Sequence, residues 1–168
     1  MSRFEATVEN GRAIPERPSR ILVPVDFSPE SSAALRYAVT LARQSRGIID
    51  VLHVWNSQSM TGNGLVSSRI SGDGSSTVAE LVHDEATGQM QRFLEPYDND
   101  PGVVGHVASG DPLVMLPELS KRYDLLVMGR GETDSLRELF LGSASAQVIA
   151  EAKCAVITVR EIVVDAAE

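Results

Sequence analysis

Five short, nearly unbroken apolar runs, separated by helix-length stretches, constrain this chain more than any other feature. They are ILVPVD (21–26), IIDVLHVW (48–55), VVGHVA (103–108), DLLVM (124–128) and AVITVR (155–160). Apolarity that continues rather than alternates means burial on both faces, the condition of a strand in a parallel sheet. Parallel neighbours require crossovers, which are right-handed. The expected fold is a single-domain, open, doubly wound α/β sheet with a Rossmann-like layout. A chain of 168 residues is the size of one domain with a full core.

The spacers carry helix signals. Ser28 is an N-cap with Pro29 and Glu30 behind it, and Ala34, Tyr37, Ala38 and Leu41 form an apolar stripe that Gly47 ends. A second helix is expected over Val78–Leu94, closed by Pro96 and Asp98–Asp100. Asp111 and Pro112 start a third, reaching about Arg122, in which Pro117 should kink or shorten the helix. The fourth is expected from Ser143 to Ala152. Pro24 should sit at its strand's end, since it cannot donate to a ladder. Residues 1–19 are polar, contain Pro15 and Pro18, and read as a mobile tail ahead of a domain at 20–160. Residues 56–77 read as a flexible loop rich in Ser and Gly, and 161–168 as a C-terminal tail.

The formal net charge of −8 disfavours nucleic-acid binding, because an acidic surface gains nothing from counterion release. No apolar run approaches the roughly 20 residues of a membrane helix. The first residues lack the apolar core of a secretory signal, so a cytoplasmic location is expected. The single cysteine, Cys154, excludes an internal disulfide and a thiolate metal cluster, and reads as a small buried hydrophobe. His53, His83 and His106 show no metal-ligand spacing and read as structural.

Open α/β sheets bind ligands beyond the carboxyl ends of their strands, where strand order reverses. Val25-Asp26 ends the first run and Met128-Gly129 the fourth. If these strands are neighbours, they face one crevice, toward which the helix starting at Ser143 would point its free N–H groups. The connecting stretch VMGRGETDSLRELFLGSAS, 127–145, has glycines and hydroxyls at a spacing that can hold phosphates. The plainer readings are that Asp26 caps a turn, Gly129 and Gly131 serve a turn, and Ser143 is an ordinary N-cap. Neither a nucleophile elbow nor a P-loop is present.

The blocks ILVPVDFSPESSAALRYAVTLA, GDP (110–112), and DLLVMG running to LGSASAQVIAEAKCAVITV resemble the universal stress protein family over residues 19–160. The resemblance implies a five-stranded parallel sheet in the order 3-2-1-4-5 with adenine-nucleotide alpha-hydrolase-like architecture, and a homodimer paired through the last strand, 155–160. It implies ATP or AMP binding in members that carry G-x2-G-x9-G-(S/T) after the fourth strand. On that pattern Gly129 matches the first glycine, and Gly142 and Ser143 the closing pair. Asp26 matches the first-strand aspartate, with Pro24 and Val25 beside it. The adenine-side backbone falls near Val54.

The middle glycine of the pattern falls on Glu132. In one reading this carboxylate faces the phosphates. Like charges about 4 Å apart cost roughly 4 kcal/mol at an effective dielectric near 20, or about three decades of affinity, unless Mg²⁺ bridges them. In the other, Gly131 takes the role through a one-residue shift, Arg130 approaches a phosphate, and Ser143 and Ser145 offer hydroxyls. The functional expectation is a regulatory adenine-nucleotide binder with at most slow ATP hydrolysis, against a ligand-free dimeric interaction module. A ligase or sulfur-transfer enzyme is disfavoured, because no nucleophile or base is evident. No residue is singled out as catalytic or as a metal ligand.

Overall fold

The structure, a computed structural model, describes residues 2–56, 78–130 and 143–163. The element order is β1 (Ser2–Val8), β2 (Arg20–Pro24), α1 (Pro29–Ser45), β3 (Ile48–Trp55) and α2 (Val78–Leu94). A single 3-10 turn, Glu95–Tyr97, then leads to β4 (Val103–Ser109), α3 (Pro112–Ser120), β5 (Leu125–Gly129), α4 (Ser143–Glu151) and β6 (Ala155–Val163). The sheet order is β1-β6-β5-β2-β3-β4. The five strands read from the sequence are all parallel to one another and lie in the expected 3-2-1-4-5 order.

Side-chain alternation divides each strand between two cores, which is why its sequence is continuously apolar. Ile21, Val23, Ile49, Val51, Leu125 and Val127 face α1 and α2. Leu22, Leu52, Leu126, Met128 and Val156 face α3 and α4. Pro24 is the last residue of β2, and the ladder resumes past it through Val25 N–H to the Leu52 carbonyl at 2.8 Å. α3 ends at Ser120 and contains the buried Pro117. Ser120 Oγ donates to the Pro117 carbonyl at 2.6 Å and accepts Lys153 N–H at 2.8 Å, tying the end of α3 to the end of α4.

Four expectations are corrected. Residues 1–19 contain β1, an extra strand antiparallel to β6 from Ser2↔Val163 to Val8↔Ile157. The pairing continues through Glu9 N–H to the Val156 carbonyl at 2.9 Å and Asn10 Nδ2 to the Cys154 carbonyl at 2.8 Å. Phe4 packs edge-on against Tyr37 of α1, with ring centroids 6.2 Å apart. Such an edge strand needs only alternate apolar positions and a partner distant in sequence, so it leaves a weak local signal. As a result the outer edge of 155–160 is already paired within the chain, and β6 runs through 161–163 of the expected tail; 164–168 lie outside the described residues. Finally, the left-handed residue after α1 is Arg46 (φ 58°), not Gly47. Gly47 is a glycine because a Cβ there would lie 2.5 Å from the Pro18 carbonyl oxygen.

Candidate functional site

β2 pairs with β3 on one side and β5 on the other, so strand order reverses between β2 and β5. A cavity of ≈ 140 Å³ opens at their carboxyl ends. Pro24, Val25 and Asp26 form one wall, Leu52 and Val54 of β3 a second, and Met128 of β5 a third. Leu113 and Leu116 of α3 and Val148 of α4 close it from the helix layer. Whole-ligand pockets start near roughly 300 Å³, so this apolar space suits one flat ring system with the rest of a ligand outside. A larger groove of ≈ 680 Å³ lies between α2 and the edge strand β4, away from the strand ends.

The turn from β2 into α1 shapes the polar wall. Asp26 Oδ1 accepts the Ser28 backbone N–H at 3.0 Å and also the Ser28 hydroxyl. The Ser28 hydroxyl in turn accepts the Ser31 N–H at 3.2 Å as the N-cap of α1. Asp26 therefore does cap a turn, and it lines the cavity as well. Between the two stands Phe27 at φ 64°, a left-handed conformation that is rare for a bulky side chain and costs on the order of 1–3 kcal/mol. Its ring lies 4.5 Å from His53 and 5.6 Å from Phe93, contacts that hold the strained turn in place. His53 Nδ1 is 2.8 Å from the Val25 carbonyl oxygen. A carbonyl only accepts, so Nδ1 carries a proton and donates it.

Of the expected site residues, Pro24, Val25, Asp26, Val54 and Met128 come together around the cavity. Gly129 follows directly, packed under the first turn of α1: a Cβ would sit 2.4 Å from the Glu30 carbonyl oxygen. Helix packing alone thus demands a glycine there. Arg130 N–H donates to the Val159 carbonyl at 2.7 Å, extending the β5–β6 ladder. Gly131, Glu132 and Gly142 lie outside the described residues. Ser143 and Ser145 belong to the first turn of α4, but their side chains are not among those described. Sequence reasoning missed Phe27, His53 and the α3 contribution. Leu113 and Leu116, at i and i+3 behind the Gly-Asp-Pro turn, were the legible signal for the last.

A second polar cluster sits on the α3 side, nearer the amino ends of the strands. Asp50 of β3 is buried and accepts from His106 Nε2 at 2.8 Å, Tyr123 Oη at 2.8 Å and Arg20 at 3.1 Å. Burial pushes its pKa up, but these three bonds outweigh that and hold the carboxyl below its ordinary value. Burial and the Asp50 charge push the Tyr123 phenol up to about 12. Burial also raises the Cys154 thiol to about 11, which removes it as a nucleophile at neutral pH. Among the described residues no group of three or more potential metal ligands exists, and no helix is long and apolar enough to cross a membrane.

Residues 18–160 match the model of the universal stress protein family. The universal stress protein YxiE of Bacillus subtilis is 28% identical over 153 residues, covering 84% of this chain and 99% of that one. The solved universal stress protein UspA of Lactobacillus plantarum is 26% identical, with a TM-score of 0.59 over 86% of this chain and 99% of that one. A universal stress protein of Archaeoglobus fulgidus, solved in complex with dAMP, shares the fold with a TM-score of 0.57 at 18% identity, covering 84% of this chain and 97% of that one.

Proposed function

The chain belongs to the universal stress protein family, and from that premise we propose that it is a cytoplasmic regulatory protein binding an adenine nucleotide, ATP or AMP, between β2 and β5. The observation carrying this reading is the apolar, ring-sized cavity at the strand-order reversal, bordered by five of the residues expected from sequence. The base enters against Leu52, Leu113, Leu116 and Met128, and the backbone at Val54 reads its edge. The phosphates run toward Gly129 and the first turn of α4, whose N–H groups have no partner within the helix and whose dipole favours an anion. The fold neighbour that holds dAMP supports the ligand class.

The site is built to bind rather than to turn over. Among the described residues lining the cavity the side chains able to serve as an acid or base are Asp26 and His53, and each is engaged by a structural bond, to Ser28 and to the Val25 carbonyl. Slow ATP hydrolysis is the most the arrangement supports. Bound nucleotide would act by favouring one of two states for which it has different affinity. One observation favours the second reading, an interaction module that has lost its ligand: Gly129 is required by α1 packing whether or not a phosphate is present.

Titration calorimetry of nucleotide-stripped protein with Mg-ATP and AMP tests the proposal, with Trp55, the single tryptophan, as a fluorescent reporter one residue beyond Val54. Saturable heat with a matching fluorescence change is expected. No heat and no competition at millimolar nucleotide would overturn it. Glu132→Gly then separates the two readings of the loop: a large gain in affinity means the carboxylate obstructs phosphate, and no change means the loop is shifted.

A further inference from the structure

The six-stranded sheet ends at β1 on one side and β4 on the other. β1 is seven residues long and has no proline, glycine or lysine to blunt its outer edge. The direction of its free groups follows from its register. Glu9 N–H donates to the Val156 carbonyl, and Val8 stands opposite Ile157, so Glu9 and Val156 form a hydrogen-bonded pair. Residues 3, 5 and 7 therefore direct their N–H and C=O groups at β6. Residues 2, 4, 6 and 8 direct theirs outward, to no strand among the described residues.

We propose that the outer edge of β1 pairs antiparallel with β1 of a second copy about a two-fold axis at Phe4, joining two six-stranded sheets into one. Outward backbone groups must face outward backbone groups, which restricts two-fold registers to those that pair residues 2, 4, 6 and 8 among themselves. With the axis at Phe4, Ser2 and Ala6 exchange hydrogen bonds with the partner's Ala6 and Ser2. Arg3 then stands opposite the partner's Glu5, and Glu5 opposite the partner's Arg3, in the closer, non-hydrogen-bonded positions where opposite charges attract most. Both are exposed. They lie on the same face as Arg160, whose Nε is 3.9 Å from Glu5 Oε2. On the α1 face Phe4 meets the partner's Phe4. The next register, with the axis at Glu5, sets Glu5 against the partner's Glu5 and is disfavoured by charge. β4 offers no comparable match: its one titratable residue, His106, is bound to Asp50. The edge that the family resemblance assigns to the last strand is covered by β1, and β1 presents a new edge in its place.

A seven-residue strand contact falls in the small, weak class of interfaces, below about 1,200 Å², so association should be concentration-dependent. Sedimentation velocity of the full chain from about 1 μM to about 1 mM spans the range expected for a weak dimer. A monomer–dimer equilibrium is expected. Ala6→Pro deletes an outward N–H without touching the bonds from residues 3, 5 and 7 to β6, and should weaken the dimer at least tenfold. Arg3→Glu and Glu5→Arg should each weaken it similarly, because each sets like charges opposite. An equimolar mixture of those two variants should recover association at least tenfold over either alone, since every cross-strand charge pair is again opposite. That arm leaves the backbone unaltered, so it decides the matter even if the proline variant loosens β1. A monomer at every concentration, or a dimer indifferent to the proline and charge changes, overturns the proposal. The nucleotide reading does not enter this test.

Discussion

Gly129→Ala isolates what the glycine at the end of β5 does before any ligand is considered. An added Cβ would lie 2.4 Å from the Glu30 carbonyl oxygen, 2.5 Å from its carbon and 2.9 Å from the Ser31 nitrogen, about 1 Å short of ordinary 3.4 Å contact. All three obstacles are backbone atoms of the first turn of α1, held by the Ser28 cap, so no side chain can swing aside. Overpacking of this kind costs about 1–3 kcal/mol, and with a backbone obstacle the upper end applies. For a chain of this length about 3 kcal/mol corresponds to a Tm lowered by roughly 6–12 °C. The matched control is Gly88→Ala in the interior of α2, where the nearest atom is the flexible Arg92 guanidinium at 3.5 Å. There the same substitution should stabilise by about 0.5–1 kcal/mol, because alanine loses less backbone entropy in a helix. Urea unfolding of both variants without nucleotide reads the two signs. If Gly129→Ala unfolds at the parent's midpoint, the close approach of α1 to β5 is wrong, and the glycine must be explained by a ligand instead.

Asp50→Asn should destabilise by about 1–3 kcal/mol, because Arg20, Tyr123 and His106 lose their charged acceptor; equilibrium unfolding near neutral pH measures this. Since folding lowers the Asp50 pKa, its contribution is present above the unfolded value near 3.8 and is lost as pH falls through the folded value. The variant should therefore show a flatter stability–pH profile in acid. Tyr123 works in the opposite direction: folding favours its protonated form, so stability is full below about pH 10 and declines from there toward about 12. Tyr123→Phe should remove that alkaline decline. With the Cys154 thiol near 11, roughly one molecule in a thousand is thiolate at pH 8. A disulfide reagent should react slowly with native protein and rapidly once denaturant is added; fast reaction of the native thiol would contradict its burial.

What local sequence dictates here is what repeats locally. Runs such as Ile21–Val25 and Leu125–Met128 declare burial on both faces, Ser28-Pro29 and Asp111-Pro112 declare helix starts, and their alternation leaves a parallel doubly wound sheet as the consistent arrangement. The position of the crevice follows from that topology, which made Val25, Asp26 and Met128 readable as its border, while Pro24 and Val54 were readable through the family resemblance. Tertiary structure decided everything that depends on a distant partner. β1 exists because β6, more than 140 residues away, offers it an edge, as the bonds of Asn10 to Cys154 and Val156 record. Asp50 is tolerable in a buried strand because His106 and Tyr123 arrive from later elements. Phe27 holds a left-handed turn because His53 and Phe93 pack against its ring. Periodicity reports which face of an element is dry, but a pairing between remote residues leaves no period in the chain, so only the folded arrangement contains it.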